Sequence, residues 1–175
     1  MSPVQSAFSK VGLSAAVLII VFARMRFSKR HGLGEFGFGR PKLGAAFVLL
    51  AAYLGWMLLS DAELHWRGPW DFRPWQQAPL TASVLRVVAV CMLGPAAEEL
   101  LFRGLLFRRL CDHLPVAAVI AVTAVGWALL HWSYSWPVIG VIVVDGLLLG
   151  LARWRTGSIA PPIIMHALYN FYAIW

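Results

Sequence analysis

Six apolar segments divide this chain, each close to the roughly 20 residues that an α-helix needs to cross a bilayer. They run over residues 6–23, 43–60, 81–97 and onward, 115–132, 137–152 and 158–175. The connecting stretches are too short to hold a soluble domain. Hydrophobic residues make up 60% of the 175 positions and charged residues 13%, against roughly 45–50% and 25% in soluble domains. A soluble globule of that composition would expose too much apolar surface to stay monomeric. Disordered, collagen-like and disulfide-scaffold classes fail on the same figures. The expected fold is all-α, a polytopic transmembrane helix bundle of about six spans in one integral domain. No internal repeat or low-complexity tract is visible.

The formal net charge of +7 would suggest nucleic acid in a soluble protein, but its distribution points elsewhere. Arg24, Arg26, Lys29, Arg30, Arg40 and Lys42 crowd the first connection, Arg103, Arg108 and Arg109 the third, and Arg153 and Arg155 the fifth. The other side has only Lys10, Arg67 and Arg73, with Arg86 inside a span. This is the positive-inside pattern, with both termini outside and the odd connections in the cytoplasm; no nucleic-acid partner is expected. Trp66, Trp70, Trp75, Trp132, Trp136 and Trp175 fall on the outer side, as an aromatic belt would, and the stretch 61–79 is the longest outer loop. Lys10 and the apolar run behind it precede basic residues and no small-x-small site, so a retained first span is expected rather than a signal peptide. Cys91 and Cys111 lie in or beside apolar stretches and are expected to be packing residues.

Ionisable residues inside hydrocarbon are costly and need a partner or a purpose. Four places stand out: Glu98-Glu99-Leu-Leu-Phe-Arg103, Trp127-Ala-Leu-Leu-His131, Asp145, and His166-Ala-Leu-Tyr-Asn170. Glu99 and Arg103 are four apart, in the favourable acid-before-base order, and are expected to pair. Glu98 lies about 100° around the helix and is left free. Counting up from the turn at residues 112–115 puts Glu98 at about 20 Å and His131 at about 24 Å on adjacent antiparallel helices. The two are therefore expected to face each other. His166 and Asn170 share one face of the last helix. A carboxylate, two imidazoles and an amide on three helices are hard to attribute to packing, and a functional polar site is expected there.

Glu-Glu-x-x-x-Arg, aromatic-x-x-x-His and His-x-x-x-Asn, in this order on successive apolar segments, resemble the three motifs of the CPBP family. This is the CAAX-protease and bacteriocin-processing group of intramembrane proteases, which includes the type II CAAX prenyl proteases. The resemblance covers residues 81–175, expected to form the helical catalytic core, with residues 1–80 supplying two spans and the outer loop. The stretch Arg155-Thr-Gly-Ser158 is similar to the family's approach to its third motif. The resemblance implies an intramembrane endopeptidase whose partners are a membrane-anchored protein or peptide substrate and the lipid bilayer. It implies that Glu98 and His131 hold and deprotonate a water, that His166 and Asn170 stabilise the oxyanion, and that Glu99 and Arg103 support the helix. No cofactor is expected; the alternative is zinc on Glu98, His131 and His166, a known type of ligand set. Two positions depart from the pattern. Trp127 stands where the family usually has Phe, which is tolerated if the ring only packs, and Asp145 stands where an apolar residue is common. Asp145 is expected to pair with Arg86, or else to be a third acid near the site. Gly146 and Gly150 form a small-xxx-small face.

Other protease classes lack their signatures. There is no His-Glu-x-x-His, Gly-x-Gly-Asp or Gly-x-Ser-x-Gly, and Ser158 is expected to cap the last helix. The alternative to an enzyme is a non-catalytic membrane protein: an immunity factor, a scaffold or a proton-coupled transporter fragment, the last disfavoured by the missing repeat. A prokaryotic inner-membrane location is expected, with processing of C-terminal sorting signals or peptide leaders as the preferred role.

Overall fold

The computed structural model describes residues 3–66 and 79–174. Arg67, Arg73, Trp70, Trp75, Trp175 and most of the expected outer loop lie outside the described residues. Six helices stand where the six apolar segments are: α1 (Pro3–Arg26), α2 (Leu43–Leu64), α3 (Leu80–Leu110), α4 (Val116–Leu129), α5 (Trp136–Thr156) and α6 (Ala160–Ile174). The described residues form an all-helical bundle, and the chain is an integral membrane protein. Four of the helices, α1, α2, α3 and α5, are long and apolar enough to cross a membrane. α4 has 14 residues and α6 has 15, or about 21 and 22 Å of rise, short of a hydrocarbon core about 30 Å thick.

α4 ends early for a local reason. Leu130 N–H closes onto Trp127 O and His131 N–H onto Ala128 O, a tightening that lets the chain turn before Pro137 enters the first turn of α5. His131 therefore sits in the α4–α5 turn and not on the helix where the sequence placed it.

α5 is the central helix, packed against α2, α3, α4 and α6. Its Gly146 and Gly150 meet α4 as the small-residue spacing implied. A Cβ on Gly146 would come within 2.9 Å of the Cα of Ala124, and one on Gly150 within 3.0 Å of Ile120. α1 and α2 are mostly lipid-facing, with 11% and 22% of their apolar windows buried against 50% for α5.

α3 is not a uniform α-helix. Two π-helical stretches, Val88–Leu93 and Leu100–Leu106, flank the short α segment Gly94–Glu99 that carries the two glutamates. The cause of the first is Pro95. Its ring would clash with the carbonyl four residues back and it has no N–H to donate. The chain widens instead, and Gly94 N–H reaches back five residues to Ala89 O.

The basic side is more structured than a solvated loop. Gly37 adopts φ +101°, and a Cβ there would lie 2.7 Å from Nε of Arg153. Arg153 is buried and donates from Nε to Arg103 O (3.1 Å) and from Nη2 to Glu35 O (2.7 Å). Ile159 N–H donates to Gly37 O at 2.9 Å, so the α1–α2 connection is sewn beneath α5 and α6. The Gly32 amide and the Arg108 guanidinium hold the Glu35 carboxyl below its ordinary range. Ser158 Oγ accepts from Ala160 N–H at 3.3 Å and starts α6. Both cysteines are free thiols.

Two sequence expectations change here. Arg103 and Arg153 are buried structural cations, not loop charges. Trp66 is 5% exposed and stacks on Tyr169 at 4.9 Å, so it is a core residue, whereas Trp132 and Trp136 are exposed at 79% and 81% as a belt requires.

Gly146→Ala should lower the thermal midpoint in detergent by the equivalent of about 1–3 kcal/mol, by forcing α4 and α5 apart. Gly140→Ala, on the same helix with nothing within 4 Å of an added Cβ, should be neutral or stabilising by up to about 1 kcal/mol. Equal responses would show that the α4–α5 contact is not tightly packed.

Candidate active site

Glu99 and Arg103 are both fully buried, and Arg103 Nη1 donates to Glu99 Oε1 at 3.0 Å, as the four-residue spacing implied. Two charges at that depth are tolerable only where partners surround them, and the later helices supply further ones, while Glu99 Oε2 and Arg103 Nε keep no hydrogen-bond partner among the described residues. Arg103 Nη2 donates to Gly146 O (3.0 Å) on α5, and its guanidinium lies 4.8 Å from the centre of the Trp127 ring. His166 on α6 donates from Nδ1 to the same Glu99 oxygen at 3.0 Å. Glu99 thus orients an imidazole as well as pairing an arginine, a role that the sequence pattern did not reveal.

With Nδ1 committed to Glu99, Nε2 is the ring nitrogen of His166 that faces Glu98, 4.0 Å from Oε2. The Glu98 side chain keeps 35% of its exposure and lines a cavity of about 320 Å³ together with Trp127, His131, Asp145, His166 and Asn170. The four expected site residues therefore share one cavity, but not in the expected pairs. No hydrogen bond or ion pair joins His131 to Glu98 among the described residues. His131 Nδ1 lies 3.2 Å from Trp127 O, and the Trp127 ring stands next to both imidazoles, with centroids 5.4 Å from His131 and 5.0 Å from His166. The early end of α4 is the cause.

The direct partner of Glu98 is Trp127, whose indole Nε1 donates to Oε2 at 2.6 Å. The ring does not merely pack. A donor at this position was legible, because tryptophan differs from phenylalanine by an N–H that needs an acceptor when buried.

Asn170 donates from Nδ2 to Val90 O at 2.8 Å, and Pro95 explains why that carbonyl is available. In an α-helix it would accept from Gly94, which is bonded to Ala89 instead; in a π-helix it would accept from Pro95, which has no N–H. Asn170 fills the gap and is thereby fixed at the cavity wall.

Asp145 is buried and accepts from Trp56 Nε1 of α2 at 3.0 Å, and among the described residues no ion pair joins it to Arg86. It lines the same cavity as Glu98, which makes it a third acid beside the site. Among the described residues no three His, Cys, Asp or Glu side chains are grouped closely enough to hold a metal ion.

Residues 80–172, more than half of the chain, match the family model described as type II CAAX prenyl endopeptidase Rce1-like. Comparison with curated proteins and with solved structures returns no match.

Glu99→Gln should destabilise the protein by about 3–5 kcal/mol, because it leaves the Arg103 charge buried without its counterion. Glu98→Gln should unfold close to wild type. Combining Glu99→Gln with Arg103→Met should recover part of the loss, which thermal unfolding in detergent would read directly.

Proposed function

The chain belongs to the type II CAAX prenyl endopeptidase Rce1-like family, and from that premise we propose that it hydrolyses a peptide bond near the membrane-embedded or lipidated end of an anchored protein or peptide. The observation that carries the reading is the contrast between two adjacent carboxylates. Glu99 is locked in a buried network, while Glu98 is held on one oxygen by Trp127 and opens onto a cavity that His131, His166 and Asn170 also line. One acid is spent on structure and the other is kept for chemistry.

In this mechanism Glu98 removes a proton from a water, whose oxygen bonds to the scissile carbonyl carbon. The carbonyl oxygen becomes an oxyanion, and donors are needed where that charge develops. His166 Nε2–H, with the ring as imidazolium, and the second Nδ2 hydrogen of Asn170 are the donors at hand. The tetrahedral intermediate collapses by breaking the C–N bond, and the proton on Glu98 passes to the leaving amine. Glu99 fixes the orientation of the His166 ring, and the Trp127 indole keeps Glu98 aimed at the cavity. His131, at the α4–α5 turn, helps to hold the attacking water from the other side of Trp127. The mechanism uses no metal. The preferred substrates are C-terminal sorting signals or peptide leaders, and the preferred location is a prokaryotic inner membrane. A substrate helix hides its peptide bonds in its own hydrogen bonds, so Gly or Pro near the cut should ease unwinding.

The test is cleavage in liposomes of one sequence presented either tethered to a transmembrane helix or free in solution. The tethered form should be cut and the free form poorly; equal turnover would indicate an open surface site. Glu98→Gln should abolish cleavage while the protein stays folded. Trp127→Phe, which keeps the ring and removes the donor, should lower kcat by about tenfold or more with little change in KM, in line with the about 1.5–3 kcal/mol of a hydrogen bond to a charged group.

Dialysis against a chelator should leave turnover and thermal midpoint unchanged. Activity lost and regained together with stoichiometric zinc would move Glu98, His131 and His166 to a metal site.

A further inference from the structure

A second cavity, of about 640 Å³, lies between the C-terminal ends of α1 and α3 and shares no lining residue with the first. Arg24, Lys29 and Arg30 line it from the end of α1, and Arg109 and His113 from the end of α3. The one acid in its wall is Asp112. That carboxylate already accepts from His31 Nε2 (2.9 Å) and is ion-paired with Arg108 Nη2 (3.1 Å), with Arg30 at 3.5 Å. Arg24, Lys29 and Arg109 form no ion pair with any described residue. Cations of one sign converge on a concave surface whose only counter-charge is in use, which favours an anionic ligand.

The surroundings of the cavity say which anion. Arg24 follows Ile20 by one turn of α1, and Phe27, just past the end of α1, donates its N–H to Ala23 O at 3.0 Å, so each pair lies on one side. Ala23 and Phe27 line the cavity with Arg24, while Ile20 and Phe27 are exposed at 62% and 79%. An apolar track on a lipid-facing helix leads into a cationic pocket on the basic side of the protein. A molecule with acyl chains and a phosphate fits both parts; a free phosphate fits only one. We propose that this cavity binds the phosphodiester headgroup of an anionic phospholipid, its acyl chains lying along Ile20, Ala23 and Phe27. Basic pockets at the cytoplasmic ends of membrane helices are suited to such headgroups. The lipid bridges α1 to α3, the helix that carries both glutamates, and the proposal is independent of the proteolytic reading.

The test uses the whole protein in neutral detergent and measures binding by native mass spectrometry and thermal shift. The probes are phosphatidylglycerol, phosphatidylcholine and inorganic phosphate. Phosphatidylglycerol should bind and raise the thermal midpoint, and the other two should not. Replacing Arg24, Lys29 and Arg109 together by Gln should weaken phosphatidylglycerol binding at least tenfold. Replacing Arg40, Lys42 and Arg155, on the same side but outside the cavity, should change it less than twofold. If the first triple variant loses its helicity without lipid, Arg109→Gln alone, on an exposed side chain, should still weaken binding about threefold. Equal losses in the two triple variants would mean diffuse attraction to a charged surface. Phosphatidylcholine or inorganic phosphate binding as tightly as phosphatidylglycerol would likewise overturn the proposal.

Discussion

The carboxylate of Glu99 is the constraint on which the rest of the bundle depends. A charge with no exposure to solvent must be neutralised within the protein, and Glu99 draws its partners from two helices. Arg103 comes from its own helix, and His166 comes from α6. Arg103 then extends the network by donating to the main chain of α5. A single buried acid thereby sets the relative positions of α3, α5 and α6. It also decides which way the His166 ring faces, and hence what lies across from Glu98. Hydrophobic contact between apolar helices in lipid is not directional; this network is.

The second organising feature is the broken ladder of α3. Irregular backbone at membrane depth is tolerated only where protein or a polar cavity satisfies it. Val90 O, beside Pro95, is taken by Asn170, and Arg103 O, in the second π-helical stretch, is taken by Arg153. Each side chain comes from a later helix and ties it to α3. π-helical stretches concentrate at functional sites, and here they bracket the two glutamates and widen the helix where the cavity opens. Asn170 therefore serves the fold as well as the cavity, because one of its amide hydrogens is committed before any substrate arrives.

The family match begins at residue 80, yet the helices before it contribute to the same assembly. Trp56 of α2 holds Asp145 at the cavity wall, and the α1–α2 connection is bonded to Arg153 and to the start of α6. α1 packs along α3 and ends in the basic cavity. Residues outside the matched region thus help set both cavities, one beside the glutamates and one at the opposite end of α3.

The amino-acid sequence alone determined the helical membrane class, the six helices, the Glu99–Arg103 pair and the glycine face of α5. Each of these rests on local periodicity or on spacing within one helix, which an α-helix converts directly into geometry. Membership of a protease family was also legible, since three short motifs in fixed order do not require coordinates to be recognised. What only the tertiary structure decided were contacts between helices. Trp127 rather than His131 meets Glu98 because α4 stops at Leu129, and that stop depends on how the chain turns into α5. Asp145 meets Trp56 because α2 packs against α5 at that level. His166 meets Glu99 because α6 packs beside that part of α3 and brings Nδ1 to the same carboxylate oxygen that Arg103 uses. Rotation and height of one helix against another are set by packing and by the satisfaction of buried polar atoms. Neither leaves a trace in the spacing along a single segment.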